Sequence, residues 1–128
     1  MKKWHVFYYE SATGDCPVQK FIDTRKERDQ AKILSWVGLL EERGPNLPRP
    51  YADMLIDGIH ELRLKLSGDQ VRILYFFCYK EFIILSHVFI KRTDEVPLSE
   101  IKRAQQCRKD FLSRFDEKKI MEVLHEKF

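Results

Sequence analysis

The chain has 128 residues and a formal net charge of +3, enough for one domain with a hydrophobic core and too few for two ordinary ones. No apolar run reaches the roughly 18 residues of a membrane-spanning helix, and the opening MKKWHVFYYE is soon broken by acid and hydroxyl groups, unlike a signal peptide. Three cysteines, Cys16, Cys78 and Cys107, stand far apart without a C-x-x-C pair, which argues against a disulfide framework and structural zinc and for a reduced cytoplasmic setting.

Residues 3–9 read as a strand, with Trp4, Val6 and Tyr8 alternating with His5, Phe7 and Tyr9. Both sets are largely apolar or aromatic, as in a strand covered on two sides. After the loop SATGDC, Pro17 suits the first turn of a short helix to about Thr24, burying Val18, Phe21 and Ile22. A longer helix from about Lys26 to Arg43 carries Ile33, Val37 and Leu40 on one stripe. Gly44 stops it, and GPNLPRP reads as a rigid connector.

The stretch from Gly58 to Arg92 reads as a three-strand antiparallel meander. In IHELRLKL, Leu62, Leu64 and Leu66 alternate with Glu61, Arg63 and Lys65, the period-two pattern of a half-buried strand. With Ser67–Gln70 as a four-residue loop, Leu66 faces Val71, Lys65 faces Arg72, and Arg63 lies diagonal to Arg72. With Lys80-Glu81 as a two-residue loop, Tyr79 faces Phe82, Leu74 faces His87 and Arg72 faces Phe89. This register puts Arg63, Lys65, Arg72, His87 and Lys91 on one face, together with Leu74, Phe76, Ile83 and Leu85. Leu62, Leu64, Ile73, Tyr75, Phe77, Ile84, Val88 and Ile90 share the other. A slip of one residue in either hairpin would scatter both sets.

TDEVP ends the meander, and Pro97 or Ser99 opens a helix to about Phe115. The apolar part of the basic face is expected to be covered by this helix, in part by a docked segment of a partner protein that masks Arg72, or by both. Residues 116–128 form either a final helix or a tail that orders on a partner. The domain division is therefore 1–115, with 116–128 as an extension.

The ordered set G-P-N-L-P-R-P-Y, G-I-H-E-L-R and R-I-L-Y, with CPVQKFIDT before it and LSHVFIKRTDEVPLSEIKRA after it, resembles the RelE/HigB group of bacterial toxins, in particular its phage-derived branch. The likeness covers roughly residues 4–115. It implies an α+β fold: two N-terminal helices packed on a small antiparallel sheet (an N-terminal strand plus the three-strand meander) and a C-terminal helix. It further implies an mRNA interferase, an endoribonuclease acting at the ribosomal A site and silenced by a small helix-turn-helix antitoxin, with no membrane partner. By position, the family's basic site residues fall on Arg63, Arg72, and Lys91 or Arg92. Some members place a tyrosine or a histidine-containing motif near the scissile phosphate from their C-terminal part. No tyrosine follows Tyr79 here, so the resemblance supplies no general base.

RNA can be cut without metal by its own 2′-OH, provided the protein aligns the attack, moves two protons and neutralises the phosphorane. Arginine suits the last task through its planar, permanently charged fork. Arg72, assisted by Arg63 and Lys91, is the candidate for it; the structural alternative is an ion-pair network of both arginines with Glu61. His87 is the candidate proton carrier, although a strand histidine between apolar neighbours is commonly a packed residue. Lys65, Lys80 and Arg49 are candidate RNA contacts. His5, His60, His87 and His125 are scattered, without metal-ligand spacing, so neither a metal nor a cofactor is expected. A non-catalytic inhibitor on the same fold, gyrase-inhibitor-like, or a decayed phage protein is the competing reading.

Overall fold

The computed structural model describes residues 4–127. In chain order it contains β1 (His5–Tyr8), α1 (Pro17–Asp23), α2 (Glu27–Arg43), a 3-10 turn (Gly44–Asn46), β2 (Ala52–Ile56), β3 (Ile59–Leu66), β4 (Asp69–Cys78), β5 (Phe82–Ile90), α3 (Leu98–Arg114) and α4 (Glu117–Lys127). The five strands form one sheet in the order β1-β5-β4-β3-β2. β1 runs parallel to β5, and every other pairing is antiparallel. This is the α+β architecture expected, enlarged by one strand.

Helices cover both faces. Against one face, α1 and α2 bury Val18, Ile22, Ile33, Val37 and Leu40 on Leu62, Leu64, Ile73, Tyr75, Ile83 and Leu85. Against the other, α3 buries Ile101, Ala104, Cys107 and Phe111 on Leu74, Phe76, Phe82 and Ile84. α4 adds Ile120 to this second core, so Glu117–Lys127 is a helix packed on the protein. Pro17 opens α1 as expected, and Gly44, at φ 52°, closes α2 with its N–H bonded to the Leu40 carbonyl.

The added strand is β2, which the sequence reading left inside the connector. It pairs with the start of β3 through an Asp57-Gly58 turn, φ 53° and 74°, the left-handed pair of a type I′ hairpin. The β3–β4 loop is likewise a two-residue turn, Ser67-Gly68 at φ 52° and 92°. It is not the four-residue loop expected. Leu66 therefore faces Asp69, Lys65 faces Gln70, and Arg63 faces Arg72 directly. The register moves by two, so every β3 side chain keeps its face.

The β4–β5 connection is longer than expected: Cys78, not Tyr79, faces Phe82. A bulge then inserts Ser86 opposite the step from Leu74 to Tyr75, which restores the expected Leu74–His87 and Arg72–Phe89 pairs. Between the turn and the bulge the parity is reversed. Ile84 thus lies under α3, and Ile83 and Leu85 lie under α1 and α2, opposite to their expected faces.

Candidate nucleic-acid interface

β3 and β4 place Arg63 and Arg72 side by side on the face that α3 covers only further along the sheet. Like charges in direct opposition are destabilising, so an anion must offset them. Glu61, two residues before Arg63 on the same face, puts Oε1 2.9 Å from Arg72 Nε, with both side chains nearly sealed from water. The distance is that of an ion pair, but the N–H does not point along it, and neither atom has a well-directed hydrogen bond. We therefore regard the contact as Coulombic rather than as a hydrogen bond. Arg72 Nη1 donates to the Val71 carbonyl at 3.1 Å, and Nη2 lies at the long distance of 3.5 Å from Gln70 Oε1. Burial pushes the Arg72 pKa down while Glu61 pushes it back up; a guanidinium remains charged under such opposing influences.

Pro50, Arg63, Leu64, Lys65, Gln70 and Arg72 line an open hollow of about 290 Å³. Arg72 is buried at its floor, Arg63 is half-exposed and Lys65 exposed at its rim. Lys91 continues the alternation of His87 and Phe89 just past β5, on the same face, and its N–H donates to the Gln70 carbonyl at 2.7 Å. Arg49, exposed beside Pro50, pairs with Asp53 at 2.7 Å. Asp53 faces Glu61 across β2 and β3, and its carboxyl is held below the usual range, chiefly by Arg49. Arg49, Arg63, Lys65, Arg72 and Lys91 against Asp53 and Glu61 leave a local excess of three positive charges.

This end of the sheet is tied to α2. Buried Asp29 accepts from the Ser67 hydroxyl at 2.9 Å and pairs with Arg25 at 2.8 Å. Lys32 Nζ donates to the Lys65 carbonyl at 2.8 Å. The turn that sets the Arg63–Arg72 register is therefore clamped from outside the sheet, which preorganises the hollow.

The other sequence candidates lie elsewhere. Lys80 sits in the β4–β5 loop, about 25 Å along the sheet from Arg72 at ~3.3 Å per residue. Arg92 alternates away from Lys91 and is exposed. His87 shares the parity of Arg72 but is fully buried under the first turn of α3. Its Nδ1 is 2.8 Å from Ser86 Oγ and its Nε2 3.1 Å from Glu100 Oε1, and its ring stacks on Phe89. Burial, with Arg103 nearby, lowers its pKa to about 4 despite the Glu100 carboxylate. His60 stacks on Tyr75 and meets Phe77 edge-on, away from the hollow. Gln70 and Pro50 escaped the sequence reading; recognising Ser-Gly as a two-residue turn would have aligned Gln70 with Lys65.

Fold and hollow together define an α/β/α-layered α+β protein with cations gathered at one end of its sheet. The model of the phage-derived Gp49-like family (DUF891) matches residues 20–109, from α1 into α3. That is more than half of the chain and includes every residue lining the hollow, and the chain belongs to this family. No curated protein matches the sequence. Among the described residues, no helix is long and apolar enough to cross a membrane.

Proposed function

We propose that the chain is the toxin of a type II toxin–antitoxin pair, an mRNA interferase of RelE/HigB type that cuts messenger RNA at the ribosomal A site. The observation that carries this reading is the direct apposition of Arg63 and Arg72 at an open hollow of about 290 Å³ rimmed by Lys65. Arg63 and Lys65 reach a phosphodiester from solvent, and Arg72 supplies fixed positive charge beneath it. Charge aimed at the site where a phosphorane develops stabilises that state more than the ground state. The 2′-oxygen attacks phosphorus, the bond to the 5′-oxygen breaks, and the products are a 2′,3′-cyclic phosphate and a 5′-hydroxyl end. The cognate antitoxin, a small helix-turn-helix protein, silences the toxin by covering the same cations.

The test is primer-extension mapping of cut sites in translated mRNA on expression of wild type, Arg63→Ala and Arg72→Ala. Arg63 is half-exposed, so its loss should spare the fold and reduce cutting by about a hundredfold or more. Wild-type cutting by a folded Arg63→Ala or Arg72→Ala protein would remove the assignment. One observation favours a second reading: the residues lining the hollow include no imidazole or phenol to carry a proton. A non-catalytic inhibitor on this fold accommodates that lining. Growth arrest without mRNA fragmentation, accompanied by DNA damage, would select it.

A further inference from the structure

The free edge of β3 beyond the end of β2 carries a second feature beside the hollow. The Arg63 N–H donates to the Tyr51 carbonyl at 2.8 Å, and Lys32 reaches the Lys65 carbonyl from α2. Tyr51 and Trp36 stand against each other with ring centroids 5.5 Å apart and planes at 58°. Lys32 Nζ also lies 5.2 Å from the Trp36 ring centroid. Thus the two β3 residues that rim the hollow, Arg63 and Lys65, are the same two that hold an aromatic pair and its cation in place.

Packing accounts for this pair incompletely. Both rings are only partly buried, at the margin of the core that α1 and α2 cover. The Trp36 Nε1–H is covered yet has no acceptor among the described residues, whereas a core tryptophan ordinarily finds one. Partly buried aromatic rings flanked by lysine, joined to the cationic hollow through Pro50, which lines it and precedes Tyr51, are the components of a single-strand nucleic-acid platform: cations follow the backbone and rings take the bases.

We propose that Trp36 and Tyr51 form a stacking subsite for a nucleobase adjoining the phosphate held at Arg63, Lys65 and Arg72, with Lys32 neutralising the neighbouring backbone. The subsite rests on the reading of the hollow as an RNA site. It holds any base, because every base has a π-face, and so it anchors the strand without specifying a sequence.

The test uses the full chain carrying Trp4→Phe, which leaves Trp36 as the fluorescent reporter. It is titrated at low salt with a short single-stranded oligoribonucleotide made uncleavable by 2′-O-methylation, and with the same backbone bearing abasic positions. The base-bearing strand should quench Trp36 and bind about ten- to a hundredfold more tightly than the abasic one. Tyr51→Ala should erase most of that difference, and Tyr51→Phe should keep it. Lys32→Gln should make the salt dependence of binding shallower by about one phosphate contact. Equal affinity for both strands with unchanged Trp36 emission would overturn the subsite while leaving the hollow as a phosphate site. Binding of neither strand would overturn the subsite, whereas the RNA reading beneath it falls only if cut-site mapping in translated mRNA shows no cleavage.

Discussion

At the scale of single residues, the site is a balance between buried charges. Arg72 and Glu61 are each almost sealed, and truncating one partner strands the other without water. Arg72→Ala should therefore destabilise the protein by roughly 3–5 kcal/mol, in addition to any effect on RNA. Replacing both, as Glu61→Gln with Arg72→Met, should recover much of that loss, because neither new side chain leaves an isolated charge. Urea midpoints of the singles and the double measure the coupling; additive losses would mean the two groups do not sense each other. Arg63→Ala is the cleaner probe of chemistry because it is half-exposed. His87 makes a different residue-scale prediction. Its folded pKa, about 4, lies below the ordinary 6.5, so between those values the unfolded chain binds the extra proton. Stability from neutral His87 is complete above about pH 6.5 and is lost as pH falls towards 4. The gap corresponds to at most about 3 kcal/mol, at ~1.36 kcal/mol per pH unit. Unfolding of His87→Gln followed from pH 7 to 4 should show a correspondingly flatter decline; slopes identical to wild type would refute this.

Among elements, the sequence was legible where a regular period extended over several residues and misleading where a turn set the register. Alternation in IHELRLKL placed Glu61, Arg63 and Lys65 on one face, and the helical stripes of α1, α2 and α3 emerged with nearly their observed bounds. The hairpins were harder: Asp57-Gly58 and Ser67-Gly68 carry the dipeptides of a two-residue turn and were passed over, whereas Tyr79 and Lys80 adopt positive φ, a conformation that such side chains disfavour and do not announce. Ser86 was invisible for a related reason: a bulge leaves no mark on a local pattern of apolar residues, yet it bounds, with the longer β4–β5 loop, the stretch in which Ile83, Ile84 and Leu85 take the opposite faces. β2 was hidden by its proline-rich approach and by Met54 and Ile56, which are large, apolar and exposed. The last helix shows how one side chain commits an element. Ile120 is 1% exposed in the core under α3, so Ile120→Ala should cost about 2–5 kcal/mol. A thermal-melting change within error would show α4 to be dispensable to the fold.

For the whole molecule, function resides in the arrangement of charges more than in their number. A net charge of +3 in 128 residues is unremarkable, but Arg63, Lys65 and Arg72 are gathered at one hollow at one end of the sheet, with α2 clamping the turn behind it. The arginines of that cluster were visible in the sequence as a face; Gln70, Pro50 and the sealed condition of Arg72 and His87 were not, since burial depends on which helix covers which strand. The sheet order adds a temporal constraint. β1 lies beside β5, parallel to it, and His5 pairs with Phe82, so β1 has no partner in the sheet until residues 82–85, far along the chain, are in place. Closure over so long a separation is slow, and until it occurs the outer edge of β5 stays open to other chains. A copy that has not yet closed this margin is unfinished there, and that is the interval in which a chaperone or an already folded inhibitor has the best access to it.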